Sequence, residues 1–223
     1  YALVPQESIQ EFVIECKKNF IAMFGGNISK NPDYTSIIND RHQKRIQEIL
    51  ADAQEKGAQI IECSAYDVEK DGRRMPVHIV LNCSPQMRIM KEELFGPVLP
   101  VVSYDTLDEA IKYIKADERP LALYCFSHSS SELDTILKQT HSGGVTINDW
   151  GWHVVNHDAP FGGIGNSGMG TYHGEEGFRE LSHAKTVFSR HRFFPTQLFY
   201  APYGSWIQKQ TMKFFLKKGD PTL

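Results

Sequence analysis

Apolar runs and helical patterns alternate along residues 98–148, and this alternation constrains the fold more than any other feature of the sequence. Residues 98–104, 121–127 and 145–148 are short apolar runs typical of buried strands. Between them, residues 105–114 and 129–140 carry apolar side chains at helical spacing. Strands joined by helices run parallel, because a crossover brings the chain back to the same edge. The sequence therefore predicts an α/β fold with a largely parallel sheet flanked by helices.

The residues before this unit predict two further helices and two further strands. Gly25 and Gly57 each follow a helical pattern and act as its stop signal. The predicted elements are helices at 6–24 and 40–56, strands at 59–63 and 77–82, and a polar hairpin or loop at 69–74.

Charge and cysteine usage exclude several classes of function. The formal net charge of -3 over 223 residues gives no general attraction to nucleic acid. The four cysteines form no CxxC pair, which argues against a zinc site and a disulfide framework and is compatible with a reducing, cytoplasmic location. No apolar run is long enough to span a bilayer. The cysteines are Cys16, Cys63, Cys83 and Cys125.

The run EELFGPV at residues 92–98 puts a carboxylate and an aromatic ring two residues apart, just before a predicted strand. In an extended segment, residues two apart point to the same side. Glu93 could then accept hydrogen bonds from sugar hydroxyl groups while Phe95 offers a flat apolar surface. The same spacing also fits a surface carboxylate beside a core phenylalanine.

Residues 162–177 contain seven glycines, and aromatic residues are interleaved with them. Residues 163–168 match the pattern GxGxxG of dinucleotide-binding folds. That pattern should follow an apolar strand and open a helix, whereas here it follows DAP at 158–160. We therefore interpret the segment as a loop that approaches a ligand or another chain segment closely.

These two runs resemble motifs of the aldehyde dehydrogenase superfamily. EELFGPV at 92–98 is similar to its EE-aliphatic-FGPV motif, and PFGGIGNSGMG at 160–170 is similar to its PFGGxGxSGxG motif. Three shorter elements resemble the class 3 branch, which includes coniferyl aldehyde dehydrogenases: YHG at 172–174, GF at 177–178 and SHAK at 182–185. The resemblance implies that residues 1–188 are the C-terminal part of a catalytic domain of that type.

The resemblance also implies roles for four residues. Glu93 matches the position that holds the nicotinamide ribose, and Phe95 matches the position that packs on the nicotinamide ring, so the implied cofactor is NAD or NADP. Phe161 matches an aromatic residue that lines the substrate pocket. His173 matches a class 3 position near the mouth of the cofactor or substrate site, although a histidine simply packed in the glycine-rich loop fits equally.

The resembled enzymes oxidise an aldehyde to a carboxylic acid through a cysteine thioester. The resemblance places the nucleophilic cysteine just before Tyr1, and the general-base glutamate also upstream, so we expect no catalytic residue here and no activity from these 223 residues alone. Coniferyl, other aryl and aliphatic aldehydes all remain possible substrates. The four cysteines present lack a neighbouring base or a helix N-terminus, and we interpret them as structural thiols.

Two further groups of residues invite a functional interpretation. Five histidines suggest a metal site, but their spacing fits no compact ligand pattern, so we interpret them as scattered surface residues and predict no metal. Asn148 ends a predicted strand, and we expect its side chain to satisfy backbone groups there. The histidines are His141, His153, His157, His173 and His183.

Residues 189–223 form an aromatic and basic tail. Residues 206–218 fit an amphipathic helix, which could pack on a partner subunit, on a membrane surface or on its own domain. Because class 3 enzymes are dimers, the resemblance favours a homodimer contact. Two other functions stay open: a non-catalytic dimerising or interaction module, and an acyl-phosphate or acyl-CoA reductase of the same superfamily.

Overall fold

The computed structural model describes residues 1–65, 72–194 and 196–216. The chain divides into two compact units, Tyr1–Glu180 and Leu181–Leu223. The polar hairpin or loop predicted at 69–74 lies partly outside the described residues, as does the end of the helix predicted at 206–218. The functional boundary after residue 188 stays a prediction.

A four-stranded sheet forms the centre of the first unit. Strands β1 and β3 both run parallel to β4, and β2 runs antiparallel to β3, which gives the order β1-β4-β3-β2. All four residues of β3 are buried, as expected for a strand covered on both faces. The strands are β1 (Ala2–Pro5), β2 (Gln59–Glu62), β3 (His78–Leu81) and β4 (Val98–Tyr104).

A second, two-stranded parallel sheet consists of β5 (Ala122–Cys125) and β6 (Gly144–Ile147). The α/β class and the dominance of parallel pairing are therefore confirmed. The three consecutive strands of the 98–148 alternation do not share one sheet, however. Strand β4 already has β1 on one edge and β3 on the other, so β5 has no free edge of β4 on which to pair.

The helices begin and end close to the predicted positions. Thr106 caps α3 in a reciprocal capping box with Glu109, and the φ of 74° at Gly25 ends α1. A 3₁₀ turn at Gln6–Ser8 precedes α1. The helices are α1 (Ile9–Phe24), α2 (Asp40–Glu55), α3 (Leu107–Ala116), α4 (Ser130–Gln139), α5 (Trp152–Val155), α6 (Gly174–Glu180) and α7 (Trp206–Leu216).

Two clusters of buried apolar side chains connect these helices to the four-stranded sheet. The first contains the apolar stripe of α2, including Ile46 and Ile49, together with Val80 of β3. The second contains Val13 and Phe20 of α1 with strand residues. The first cluster also includes Ile89 and Val98, so α2 is fixed against the chain that leads into β4.

Two features of the remaining helices differ from expectation or add to it. The apolar side chains predicted at helical spacing over residues 129–140 do not become buried, since Leu137 is 43% exposed and α4 has no buried residue at all. In the second unit, α7 leaves Trp206 and Phe214 largely exposed, while the Gln208 side chain donates to the carbonyl of Tyr200. None of the helices in the described residues has the length and apolar character needed to cross a bilayer.

Candidate functional site

The 92–97 loop, which leads from the 3₁₀ turn at Arg88–Met90 into β4, is not extended. Phe95 has a φ of 48°, in the left-handed region that a non-glycine residue seldom occupies. The next residue, Gly96, lies against α2 so closely that a Cβ there would be 2.1 Å from Cδ1 of Ile46. The extended backbone assumed for Glu93 and Phe95 is therefore wrong, because the chain turns at Phe95 to bring Gly96 onto the helix.

Two residues of α2 bind the backbone carbonyl groups of this loop. Arg45 donates from Nη2 to the carbonyl oxygens of Glu93 and Leu94, at 3.0 and 2.6 Å. Nε2 of His42 lies 2.9 Å from the carbonyl oxygen of Phe95, and since a carbonyl only accepts, the imidazole is the donor. Sequence reasoning missed both residues, although their spacing of three puts them on one face of a helix.

The two glutamates of the loop have different surroundings. The Glu92 carboxylate accepts from Nε of Arg88 at 2.7 Å and from Nη1 of Arg45 at 3.2 Å. The hydrogen bond from Arg88, followed by the smaller effect of Arg45, lowers the pKa of Glu92. Glu93 is exposed, and in the described part of the chain no hydrogen bond or ion pair engages its carboxylate. Glu92 is thus structural, and Glu93 is free to meet a ligand.

The Phe95 ring is also accessible to a ligand. It is 76% exposed and lines an open groove of about 650 Å³. Tyr34, His42 and Met75 are also on the groove walls. An exposed apolar ring can pack on a planar ring and a free carboxylate can accept from hydroxyl groups, and a nicotinamide riboside has both of these features.

The glycine-rich segment, residues 160–177, is folded tightly back on itself. Phe161 and Tyr172 exchange two backbone hydrogen bonds of 2.8 and 2.9 Å across the segment. A Cβ on Gly163 would lie 1.9 Å from the carbonyl oxygen of Ser167. The GxGxxG match at 163–168 contains only a 3₁₀ turn, Gly165–Ser167, and opens no long helix. The structure agrees with the rejection of a Rossmann phosphate loop.

Phe161 and His173 belong to one cluster of rings, connected through Tyr172. The centroids of Phe161 and Tyr172 are 5.5 Å apart, and those of Tyr172 and His173 are 4.2 Å apart. The ring centroids of His153 and Phe161 are 5.9 Å apart, and those of His157 and His173 are 4.7 Å apart. In the described part of the chain, no hydrogen bond or ring contact joins this cluster to the 92–97 loop.

The interpretation of the histidines as scattered surface residues is wrong for His153 and His173, and His157, although exposed, contacts His173. His153 and His173 are half-buried, and Nδ1 of His157 lies 3.4 Å from Nε2 of His173. His141 is exposed and, among the described residues, has no ring contact or hydrogen bond with the cluster, and His183, in the second unit, is also exposed. Residues 153–157 and residue 173 come together through the backbone bridge between Phe161 and Tyr172. The spacing of the histidines in the sequence does not reveal that bridge, so their proximity was not predicted.

The histidine rings are fixed by local backbone features. His173 has a φ of 71°, and its carbonyl accepts from the backbone N–H of Gly177 in α6. His153 is linked from Nδ1 to Oγ1 of Thr146 at 2.7 Å. Nδ1 of His173 and Nε2 of His153 are buried without a partner among the described residues. No group of three or more metal-binding side chains occurs in that part of the chain.

The four cysteines are free and have environments that oppose nucleophilic attack. Burial is the largest influence at each of the four sulfur atoms, and it raises the pKa of each thiol. A raised pKa keeps the thiol protonated, whereas the thiolate is the reactive form. The interpretation of Cys16, Cys63, Cys83 and Cys125 as structural thiols is therefore supported.

Asn148 has the structural role predicted for it. Its side chain donates to the carbonyl of Ser127 at 3.0 Å and accepts from the backbone N–H of Ser127 at 2.9 Å. These two bonds connect the end of β6 to the end of β5, although Asn148 is exposed rather than buried. Asn148 also has a φ of 55°, which asparagine tolerates better than most residues.

The α/β sheet, the 92–97 loop and the glycine-rich segment together define an α/β enzyme domain. The model of the aldehyde dehydrogenase family matches residues 1–187. This match covers well over half of the chain, and the chain belongs to the aldehyde dehydrogenase family.

Two curated relatives illustrate the similarity. A probable coniferyl aldehyde dehydrogenase of Pseudomonas aeruginosa is 46% identical over 217 residues, which is 97% of this chain and 45% of that protein. A mouse aldehyde dehydrogenase named as dimeric and NADP-preferring is 39% identical over 184 residues, covering 82% of this chain and 39% of that protein. The chain thus spans less than half the length of these relatives.

Two solved structures share the fold. A substrate-bound AldH of Staphylococcus aureus matches with a TM-score of 0.81 and 31% identity, covering 97% of this chain and 45% of that one. A betaine aldehyde dehydrogenase of Staphylococcus aureus in complex with NAD+ matches with a TM-score of 0.68 and 26% identity, covering 84% of this chain and 40% of that one.

Proposed function

We propose that this chain forms part of an NAD(P)-dependent aldehyde dehydrogenase and contributes the loop that holds the nicotinamide riboside of the cofactor. The observation that carries the proposal is that two adjacent glutamates differ in their contacts. Glu92 is held by Arg88 and Arg45, while Glu93 is exposed and unengaged within the described residues. A free carboxylate and an exposed aromatic ring two residues apart in one loop suit a ligand with both hydroxyl groups and a planar ring.

Glu93 and Phe95 have the chemistry that this cofactor requires. A carboxylate only accepts hydrogen bonds, and the two ribose hydroxyl groups can both donate to it. The Phe95 ring, 76% exposed, can pack on the face of the nicotinamide. Bound NAD(P)+ would accept the hydride that leaves the aldehyde carbon. An NAD+ complex of a related structure supports this assignment for a dinucleotide.

The reaction also needs a nucleophile, and the thiols of this chain do not suit that role. A thiolate attacks the aldehyde, hydride departs, and water then hydrolyses the thioester to the acid. All four thiols present are shifted toward the protonated form by burial. We therefore infer that the nucleophile and its general base come from outside residues 1–223, and that these residues alone do not turn over.

An aryl aldehyde is the substrate class that the glycine-rich segment favours. Phe161, Tyr172 and His173 form a cluster of flat rings, and such a surface binds a planar aromatic substrate better than a flexible chain. The identity of 46% with a probable coniferyl aldehyde dehydrogenase supports the same class. We propose that Phe161 and His173 line the aldehyde site.

We also propose that the enzyme works as a homodimer in the cytoplasm, with residues 189–223 contributing to the subunit contact. The name of the mouse relative supports a dimer. The many exposed aromatic side chains of the tail, such as Phe193, Tyr203 and Phe214, supply apolar surface for such a contact. Four free cysteines suit a reducing compartment.

The test measures dinucleotide affinity in the whole enzyme that contains this chain. We expect Glu93→Gln to raise the dissociation constant of NADH roughly 10- to 100-fold, since hydrogen bonds to a charged group are worth about 1.5–3 kcal/mol. Phe95→Ala should weaken binding as well. Titration of NADH fluorescence gives the constant directly.

The matched control is Glu55→Gln, which removes an exposed carboxylate at the far end of α2 and should leave affinity unchanged. Unaltered NADH affinity in both Glu93→Gln and Phe95→Ala would overturn the proposal. Aldehyde-dependent NAD(P)H formation by residues 1–223 alone would contradict the inference about the nucleophile, and lack of activity in the whole enzyme would favour the interaction module.

A further inference from the structure

The backbone of the 92–97 loop is bound to α2 through three consecutive carbonyl groups. Those of Glu93 and Leu94 accept from Arg45, and that of Phe95 accepts from His42. We propose that Arg45, assisted by His42, is a positioning residue that sets dinucleotide affinity by holding these carbonyl groups, without itself touching the cofactor. The inference rests on the proposed function, because it concerns how Glu93 and Phe95 are presented.

The guanidinium of Arg45 makes contacts that no other cationic side chain can reproduce. Nη2 donates to two adjacent carbonyl oxygens, and Nη1 donates to the Glu92 carboxylate at 3.2 Å. These contacts use separate N–H groups of one rigid, planar fork. A lysine at this position has a single ammonium point, which cannot span the two carbonyl groups and the carboxylate together. Arg45 thus fixes the direction of the loop backbone on both sides of Glu93.

The contact from His42 falls where the backbone most needs support. Phe95 has a φ of 48°, a left-handed conformation that is strained for a residue with a Cβ. The hydrogen bond from His42 and the fit of Gly96 against Ile46 hold the chain in that conformation. His42 is fixed in turn, because its backbone N–H donates to the capping side chain of Asn39 at 2.8 Å.

The hydrogen bonds from Arg45 and His42 to the three carbonyl groups form a clamp on the loop. A network of alternating charges around Glu92 supports this clamp. Arg88 donates from its side chain to Glu92 and from its backbone N–H to Asp52 of α2, at 2.7 and 2.9 Å. Glu92 then pairs with Arg45, so the chain of contacts starts and ends on the same helix. Residues 88–95 are therefore linked to α2 at several points, and Glu93 and Phe95 project from this supported backbone.

Loss of the clamp should affect binding and not chemistry. With its carbonyl groups released, the loop can relax the strained φ at Phe95 and redirect both side chains. The cofactor must then order the loop when it binds, which lowers affinity by the cost of that ordering. Once the cofactor is bound, the reacting atoms are placed as before. The expected signature is a raised KM for NAD+ with a nearly constant kcat.

The experiment compares variants of the whole enzyme by steady-state kinetics and NADH titration. Arg45→Met should raise the KM for NAD+ and the dissociation constant of NADH about 10-fold or more, while kcat at saturating NAD+ and the KM for the aldehyde stay within about 2-fold. Arg45→Lys should recover only part of the affinity. Arg41→Met is the matched control, since Arg41 is an exposed neighbour on α2, and it should have no effect.

A double variant tests whether Arg45 acts through Glu93. If it does, Arg45→Met combined with Glu93→Gln should lose less affinity than the two single losses added together. Should Arg45→Met fail to fold, His42→Ala provides the same test with a smaller change, and His42→Gln should restore affinity because an amide can also donate.

The outcomes separate this inference from the proposed function. Weakened NADH binding in Glu93→Gln together with unaltered binding in both Arg45→Met and His42→Ala would overturn the positioning role alone. No effect in any of these variants or in Phe95→Ala would overturn the proposed function itself. A fall in kcat in Arg45→Met with unchanged affinity would also contradict the inference, because it would give Arg45 a part in the chemistry.

Discussion

The two motif-bearing segments of this chain are held in place by different means. The 92–97 loop is fixed from outside, by side chains of α2 that reach its carbonyl groups and the Glu92 carboxylate. The glycine-rich segment is fixed from within, by backbone groups that approach each other more closely than a Cβ allows and by rings that pack edge to face. Loss of an α2 side chain should weaken the support of the 92–97 loop without unfolding it. The glycine-rich segment, in contrast, can fold only where its glycines have no Cβ.

This difference suits the roles proposed for the two segments. A binding loop supported by polar contacts from a neighbouring helix can present two exposed side chains, here Glu93 and Phe95, on a defined backbone. A segment built on backbone contacts has a shape that few sequences can adopt, and it can line a pocket of fixed form. The contrast is testable, because different substitutions are expected to weaken the support of each segment.

The largest effect is expected at Gly163. A Cβ there would lie 1.9 Å from the carbonyl oxygen of Ser167, and backbone atoms cannot move aside as the end of a flexible side chain can. We expect Gly163→Ala to destabilise the protein by about 3 kcal/mol, near the upper end of overpacking costs. Thermal unfolding should show a fall in Tm of roughly 6–12 °C.

The matched control for this prediction is Gly26→Ala. A Cβ at Gly26 meets no atom within 4 Å, so the same substitution should change the Tm little. If Gly163→Ala were as stable as Gly26→Ala, close backbone approach would not be what holds the segment, and the contrast between the two segments would fail.

Local signals in the sequence predicted the secondary structure well. Gly25 ends α1 and Thr106 caps α3, because both effects depend on residues within one turn of the chain. The division of the strands between two sheets was not predicted. Which edge of β4 is free depends on β1, almost a hundred residues earlier, and alternation of elements gives no information about that pairing.

The site was also predictable only in part, because local sequence signals do not reveal its long-range contacts. The exposed side chains of Glu93 and Phe95 agree with their expected availability, but the turn at Phe95 was missed because it arises from packing against Ile46. Arg45 was missed because its carbonyl partners are 48 and 49 residues away along the chain. Contacts of that range leave no periodic mark in a single sequence.

A smaller effect is expected from Glu92→Gln, which keeps the shape of the side chain and removes its charge. The pKa of Glu92 is lowered in the folded state, chiefly by Arg88. Its contribution to stability is therefore present above the ordinary value of 4.5 and is lost as the pH falls through the lowered pKa. Glu92→Gln should lower the Tm by less than Gly163→Ala does, and the difference from the unaltered protein should shrink as the solution is made acidic.

The control is Glu176→Gln, an exposed carboxylate in α6 of the glycine-rich segment, which should leave both the Tm and its pH dependence unchanged. A stability difference for Glu92→Gln that stayed constant from neutral to acidic pH would show that charge is not what supports the 92–97 loop. The 92–97 loop would then not differ from the glycine-rich segment in having electrostatic support.

The smallest effect is expected at the side chain of His157. The backbone carbonyl of His157 also accepts from the N–H of Gly174 in the glycine-rich segment, but a substitution leaves that bond in place. His157 is exposed, and its contact with His173 spans 3.4 Å between ring nitrogens. Surface substitutions of this kind change stability by about 0.5 kcal/mol or less, so His157→Asn should shift the Tm by no more than about 2 °C. The ring resonances of His173 should nevertheless move in NMR spectra, since a neighbouring ring with its centroid 4.7 Å away is removed.

His141→Asn is the matched control for His157→Asn, because His141 is an exposed histidine apart from the ring cluster, and it should leave the His173 resonances in place. A loss of stability in His157→Asn as large as that in Gly163→Ala would mean that side chains support the glycine-rich segment after all. The segment would then resemble the 92–97 loop in its support, and His173 would owe its left-handed backbone to its neighbour His157 rather than to the close packing of glycines around it.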